Sequence, residues 1–188
     1  MIKIIEQTPR CTIRFLDKND YDSFVAGYKN CLPSKNRFDD GQIDVSFLTH
    51  EWYSNLLKRR EKEADSDYCY MFNIFRNEDG CSIGYCDITT QFRDDIQYAK
   101  IGYTIFNNYW NLGFATEVVK ALTRIGFDYL HFHRLEAHIN IDNPASKAVV
   151  LKCGYTFEGV RAGFIYEDGK WTDNEIWYKN NENWTMRG

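Results

Sequence analysis

The stretch Asn108-Tyr-Trp-Asn-Leu-Gly-Phe-Ala-Thr-Glu117 decides the fold, because it marks a turn from a strand into a helix. Residues 96–106 before it have the pattern of a strand, and apolar residues after it recur every three or four positions up to Leu130, as in a helix. The first N–H groups of such a helix have no partners, and the helix dipole adds partial positive charge there. Gly113 and Ala115 leave room for an approaching anion. The stretch therefore predicts a phosphate site.

Patterns outside this stretch predict the remaining elements. A capping Asn before a Pro, at Asn143-Pro144, starts a short helix that Gly154 ends, and Glu167-Asp-Gly169 is a turn between the last two strands. We expect strands over 12–16, 68–75, 81–90, 96–106, 134–141, 155–160 and 172–179, helices over 20–29, 50–64, 113–130 and up to Cys153, and a loose tail over 180–188. This order predicts a single α/β (α+β) domain with a mixed, largely antiparallel sheet flanked by helices.

Composition and charge restrict the class of protein. With 188 residues, of which 44% are hydrophobic, the chain is long enough for one domain with a full core. A formal net charge of −4 disfavours non-specific binding to nucleic acid, which needs a basic surface. No apolar run approaches the ~20 residues of a membrane span, and Met1 to Ile5 is too short for a secretory leader. We therefore expect a cytoplasmic protein that binds neither nucleic acid nor membrane.

Cysteine and histidine spacing argues against a disulfide framework and against a metal site. The six cysteines form no C-x-x-C pair, so we expect reduced thiols. His131-Phe-His133 lacks the further Cys or carboxylate ligands that a zinc site needs, so we expect no metal. Cys153 could be a nucleophile, but we favour a buried thiol at a helix end.

The stretch that decides the fold resembles the diphosphate-binding turn of the GNAT acyl-CoA N-acetyltransferases, which have Q/R-x-x-G-x-G/A there. Gly113 and Ala115 match, whereas Trp110 stands at the Gln or Arg position. Ile101-Gly-Tyr before the turn and Ala-Thr-Glu within it are similar to the RimJ/RimL branch of that family. The resemblance covers about 11–179 of one domain, and it implies the GNAT fold with two splayed central strands.

The resemblance also implies acetyl-CoA as co-substrate and names the residues that would hold it. Main-chain groups at the end of the splayed strand would bond the pantetheine arm, unless ordinary sheet pairing occupies them. The turn would bind the diphosphate. The implied acetyl-CoA-binding residues are Thr104, Ile105, Phe106, Trp110, Asn111, Leu112, Gly113, Phe114, Ala115, Thr116, Asn140, Asn143 and Ser146.

A second motif, Asn140-x-x-Asn143-x-x-Ser146, lies where a strand ends and the next helix begins. Helix capping alone explains Asn143 and Ser146. In the RimJ/RimL branch a similar D-N-x-x-S sequence lies beside the CoA sulfur. The resemblance therefore implies that Asn143 orients the pantetheine arm and that Ser146 is catalytic, protonating the leaving thiolate.

A general base is needed because an ammonium group must lose a proton before its nitrogen attacks a thioester. Many RimJ/RimL-like chains carry Glu immediately before Ile-Gly-Tyr, but this chain has Lys100. Glu136 and His138 share one face of a strand, and an ordinary histidine pKa of ~6.5 suits proton removal through water. We name Glu136 and His138 as catalytic candidates, with Asp87 and Tyr103 as alternatives.

The sequence thus predicts an N-acetyltransferase in which a primary amine attacks acetyl-CoA directly in a ternary complex. A peptide or protein N-terminal amine is the favoured acceptor. A small amine, a polyamine or an aminoglycoside is the alternative, and the segments 30–47 and 161–171 would select among them. A GNAT-like module that binds CoA or a peptide without turnover is the alternative of another class. The sequence is also compatible with a homodimer.

Overall fold

The computed structural model describes residues 3–185. Outside the described residues lie 1–2, which begin the segment 1–5 that was compared with a secretory leader, and 186–188, at the end of the predicted tail. The described strands and helices are β1 Ile5–Gln7, β2 Cys11–Arg14, α1 Tyr21–Lys29, α2 His50–Asp65, β3 Cys69–Arg76, β4 Ser82–Phe92, β5 Tyr98–Ile105, α3 Phe114–Arg124, β6 Arg134–Asn140, α4 Pro144–Lys152, β7 Thr156–Glu167 and β8 Lys170–Asn180. None of these helices combines the length and apolar character needed to span a bilayer.

All eight strands form one sheet in the order β1-β2-β3-β4-β5-β6-β8-β7. Neighbouring strands are antiparallel everywhere except at β5 and β6, which are parallel. The predicted mixed, largely antiparallel sheet is confirmed.

The parallel pair β5–β6 separates after only three residue pairs. Tyr98–Lys100 pairs with Arg134–Glu136, but β5 continues to Ile105 and β6 to Asn140 without pairing to each other. We call the gap between these two unpaired strand ends the wedge. It confirms the predicted splay of the central strands.

Helices cover both faces of the sheet. On one face, here the α3 face, Val118 and Leu122 of α3 pack in the main core with Phe72, Ile88 and Leu135. On the other face, here the α1 face, α1 and α2 form a separate apolar cluster with Phe75; the buried members of this cluster are Leu16, Phe24, Leu48, Tyr53, Leu56 and Phe75. Because side chains alternate along a strand, each strand beside the wedge presents one set of residues to each face.

The structure differs from the predicted elements at three places. Strand β1 was not predicted, because three residues are too few to show alternation. Helix α3 ends at Arg124 and continues as a wider π-type turn over Ile125–Tyr129. Strand β7 runs to Glu167, and a register shift near Arg161 hides its alternation in the sequence.

Candidate active site

The predicted phosphate turn has the backbone geometry of an anion site. Gly113 and Asn111 both have left-handed backbone conformations, with φ of 83° and 64°. The Glu117 amide makes the hydrogen bond back to the Gly113 carbonyl, at 3.3 Å. The N–H groups of residues 114–116 therefore have no partner within the helix. They lie where the helix dipole is positive.

Trp110 closes the end of the wedge beside this turn. Its indole Nε1 donates to the Ile105 carbonyl oxygen at 2.6 Å, and the Lys35 amine lies 5.4 Å from the centre of its ring. The indole has a single N–H donor and Ile105 uses it, so Trp110 does not replace the Gln or Arg of the related motif as a donor to phosphate.

A cationic group that the sequence analysis missed lies against the turn. Arg10 Nη1 donates to the Leu112 carbonyl at 2.8 Å, and its Nε donates to Glu117 at 2.7 Å. Burial raises the pKa of Glu117, but hydrogen bonds from Thr8 and Arg10 outweigh burial and hold that pKa below its ordinary range. Arg10 and Glu117 are 107 positions apart, and no local pattern links them.

The main-chain groups that face the wedge belong to Tyr103 and Ile105. The Phe106 amide donates to the Ile83 carbonyl of the β4 side at 2.9 Å. A Cβ added to Gly84 of β4 would lie 2.1 Å from the Thr104 carbonyl oxygen. Because successive residues of a strand direct their N–H and C=O groups to opposite edges, Tyr103 and Ile105 face the wedge. Contrary to the prediction, the Thr104 carbonyl and the Phe106 amide are directed towards β4, and the Phe106 carbonyl accepts from the Tyr109 amide at 2.9 Å.

A pair of hydroxyl groups bridges the wedge on the α3 face. The Tyr103 hydroxyl on β5 lies 2.6 Å from Ser146 Oγ on α4, and 3.2 Å from the Ser146 carbonyl oxygen. Burial raises the pKa of Tyr103 to about 12, so this phenol is neutral at physiological pH. The Ser146 amide donates to Asn143 Oδ1 at 3.1 Å, the predicted cap. The structure therefore brings Asn143, Ser146 and Tyr103 together.

Asn140 does not join this group. Its side chain donates to Glu167 Oε2 at 2.9 Å and to Thr172 Oγ1 at 3.2 Å. On β6 it shares the α1 face with Glu136 and His138, whereas Leu135, Ala137 and Ile139 face the core. The predicted placement of Asn140 beside Asn143 and Ser146 is therefore wrong, because strand alternation sends its side chain to the opposite face.

Glu136 and His138 form a buried pair on the α1 face of β6. Glu136 Oε2 lies 2.9 Å from His138 Nε2 and accepts from the Tyr98 hydroxyl at 2.7 Å. Burial raises the pKa of Glu136, but hydrogen bonds from His138, Tyr98 and Arg134 outweigh burial and lower that pKa to about 2. A carboxylate held in this way by its neighbours is a weak base. It can hold a proton on His138 Nε2, which leaves the lone pair on Nδ1.

Asp87 flanks the wedge from the β4 side. A Cβ on Gly102 would lie 2.3 Å from Asp87 Oδ1, so the missing side chain lets this carboxylate cover β5. Burial raises the pKa of Asp87, against the opposing effects of the Thr89 hydrogen bond and the Lys100 charge. Asp87 and His138 thus stand on opposite sides of the wedge on the same face of the sheet.

The two segments predicted to select the acceptor, 30–47 and 161–171, meet at Arg37. Its guanidinium binds Asp142 at 2.6 Å and lies 3.6 Å from Glu167 and 3.5 Å from Asp168. The buried Asn107 fixes the first segment to the end of β5; its side chain bonds Leu32 N, Leu32 O, Pro33 O and Asp39. Both segments therefore border the wedge region.

Metal and thiol chemistry receive no support from the side chains. Among residues 3–185, no group of three or more His, Cys, Asp and Glu side chains is arranged to hold a metal ion. All six cysteines are free thiols. Burial raises the pKa of Cys153, which disfavours the nucleophilic thiolate.

Comparisons with known proteins agree with this geometry. The family described as acetyltransferase (GNAT) domain matches residues 10–156. The uncharacterized N-acetyltransferase YoaA of Bacillus subtilis is 37% identical over 79 residues, which are 42% of this chain and 45% of YoaA. The chain thus aligns with under half of that relative.

Solved structures that share the fold include two acetyltransferases. The ribosomal-protein-S5-alanine acetyltransferase of Vibrio fischeri gives a TM-score of 0.79 at 17% identity, covering 97% of this chain and 100% of that one. The RimL ribosomal L7/L12 α-N-protein acetyltransferase, solved with coenzyme A, gives 0.72 at 18% identity, covering 94% and 98%. Because the family match covers most of its length, the chain belongs to the GNAT acetyltransferase family.

Proposed function

We propose that this protein transfers the acetyl group of acetyl-CoA to the α-amino group of a peptide or protein N-terminus. The observation that carries the proposal is the wedge, which leaves the Tyr103 and Ile105 edge of β5 without a neighbouring strand. A pantetheine arm can add to such an edge as an extra strand. The free amides of 114–116, in the first turn of α3 after this strand, suit the diphosphate.

The residues around the wedge can divide the chemistry between the two faces of the sheet. His138 would accept a proton from the amine, directly or through water, with Asp87 as the alternative base. The neutral amine nitrogen then bonds to the thioester carbon and releases its remaining excess proton to solvent, and the carbon–sulfur bond breaks. The Ile105 amide can donate to the thioester oxygen as its charge develops. Ser146, on the other face, would give the departing sulfur a proton.

The choice of an α-amine follows from the modest strength of these bases. Lys100 occupies the place where related chains have Glu, and Glu136 is fully engaged with its neighbours. The substrate must then supply much of its own free amine. At pH 7 roughly a tenth of an α-amine with pKa ~8 is neutral, against well under a hundredth of a lysine side chain. Structures of this fold include a ribosomal-protein-S5-alanine acetyltransferase and an α-N-protein acetyltransferase.

The decisive comparison measures release of free CoA thiol with four acceptors: a peptide with a free N-terminus, the same lysine-containing peptide with a blocked N-terminus, spermidine and an aminoglycoside. We expect efficient release with the free peptide alone. Transfer to spermidine, the aminoglycoside or the blocked peptide, without transfer to the free one, would overturn the acceptor. Binding of acetyl-CoA without release with any amine would indicate the non-catalytic module.

The role of His138 is tested by a pH profile of His138→Gln. We expect kcat/KM at pH 7 to fall about a hundredfold. The deficit should shrink as the pH approaches the pKa of the acceptor amine, because the amine is then neutral without a base. His133→Gln is the matched control, because His133 contacts Trp184 instead of the wedge residues. An undiminished kcat/KM in His138→Gln would leave Asp87 as the base.

A further inference from the structure

Trp110 stands where the related motif has a cationic or amide side chain. Another group must therefore supply positive charge to a diphosphate at the turn. Trp110 uses its only donor on Ile105. Lys35, beside its ring, donates to the Asn107 carbonyl at 3.1 Å. Arg76, on the nearby Tyr109 ring, pairs with Asp79. Each of these cations is therefore directed to another partner.

Arg10 is the guanidinium that lies directly on the turn. Its Nη2 would lie 3.4 Å from a Cβ on Gly113, the residue that precedes the free amides. Its central carbon lies 4.4 Å from the centre of the Phe114 ring. The guanidinium thus packs against the first turn of α3 on the side where a phosphate would approach the helix.

Glu117 holds Arg10 in this position and leaves donors free. The carboxylate binds the Arg10 main-chain amide at 2.9 Å and its Nε at 2.7 Å, and lies 2.6 Å from Nη2. Nη1 bonds the Leu112 carbonyl. A guanidinium has five N–H groups, so these contacts leave N–H groups on the outer side. The Arg10 side chain is 45% exposed, which keeps it within reach of a ligand.

We propose that Arg10 binds a phosphate on the nucleotide half of CoA, and so supplies from the β1–β2 turn the charge that the motif lacks at Trp110. The inference rests on the proposed use of acetyl-CoA. Two phosphate sources share this chemistry, the diphosphate and the 3′-phosphate. Glu117 is a positioning residue, because it contacts Arg10, whereas the Arg10 guanidinium contacts the ligand.

The test compares Arg10→Gln with Arg124→Gln by calorimetry with CoA. Arg124 is a matched control, because it also ties the N-terminal segment to α3 through an exposed ion pair, to Glu6 at 2.6 Å, near the other end of the helix. We expect Arg10→Gln to weaken CoA binding about tenfold, as loss of a charged hydrogen bond implies, and Arg124→Gln to change it less than twofold.

Two further ligands separate a binding role from a structural one. Dephospho-CoA identifies the source: the tenfold loss persists if Arg10 binds the diphosphate and disappears if it binds the 3′-phosphate. Acetyl-pantetheine, which has no phosphate, should be turned over equally by Arg10→Gln and the wild type. An equal loss with acetyl-pantetheine, or unchanged CoA affinity, would overturn the inference. Failure of the wild type to bind CoA would instead refute the proposed function.

Discussion

Replacing Ser146 with alanine should lower kcat at pH 7 by about ten- to thirtyfold, while CoA affinity changes less than threefold. A thiol leaving group has a pKa of ~8.5, so a proton donor at pH 7 can stabilise the departing sulfur by about 1.5 pKa units, or about 2 kcal/mol. That energy corresponds to a factor of about thirty. The Tyr103 hydroxyl, 2.6 Å from Ser146 Oγ, can replenish the proton.

The assay is thiol release under saturating acceptor from pH 6.5 to 9.5. The deficit of Ser146→Ala should shrink above pH ~8.5, where the thiolate is stable without a proton. Thr123→Val is the control, because Thr123 Oγ1 makes a comparable buried bond to the Tyr155 hydroxyl at 3.0 Å, away from the wedge. It should cost about 1 kcal/mol of unfolding free energy and leave kcat unchanged.

Tyr103→Phe extends the test to the proposed relay. If Tyr103 acts through Ser146, the double variant should lose no more kcat than Ser146→Ala alone. Full kcat for Ser146→Ala at pH 7 would show that the Ser146 side chain has no catalytic role and that the residue only contributes to the start of α4. An equal deficit at pH 7 and pH 9.5 would refute proton donation.

Three other substitutions test separate parts of the site. The Glu136 pKa is lowered from 4.5 to about 2, so its stabilisation is present above pH 4.5 and is lost as pH falls towards 2. Urea unfolding at pH 6 and pH 3 should show a loss of about 2 kcal/mol from this group, and Glu136→Gln should abolish that loss. Asn107→Ala should lower stability by about 2 kcal/mol and raise the acceptor KM more than the acetyl-CoA KM, because Asn107 anchors segment 30–47; equal changes in both KM values would contradict this role. Gly113→Asp should abolish CoA binding in calorimetry while circular dichroism shows a folded protein, because it adds negative charge at the turn. An unchanged CoA affinity would contradict the assignment of the phosphate site to this turn.

The sequence predicted the fold well wherever periodicity was long. The helix from Phe114 shows its apolar stripe at Val118 and Leu122, and both residues are fully buried against the sheet. The wedge followed from the family resemblance, because local patterns do not record where two strands stop pairing. Strand β1 was not predicted because three residues are too few to show alternation, and it is its pairing with β2 that stabilises it.

The site was predictable in its motifs but less so in its geometry. Asn143 and Ser146 lie together as expected, since both belong to one helix start. Asn140, three residues earlier, faces the other way because a strand alternates. The contacts of Arg10 with Glu117, and of Arg37 with Asp142, join residues more than a hundred positions apart. Such contacts arise only when the chain is folded.

A crystal structure of the complex with acetyl-CoA tests the central claim most directly. The account predicts the pantetheine arm along the Tyr103–Ile105 edge of β5, the thioester oxygen at ~3 Å from the Ile105 amide, and the diphosphate on the amides of 114–116. Acetyl-CoA bound elsewhere, or β5 and β6 paired beyond Lys100 so that no wedge remains, would contradict it.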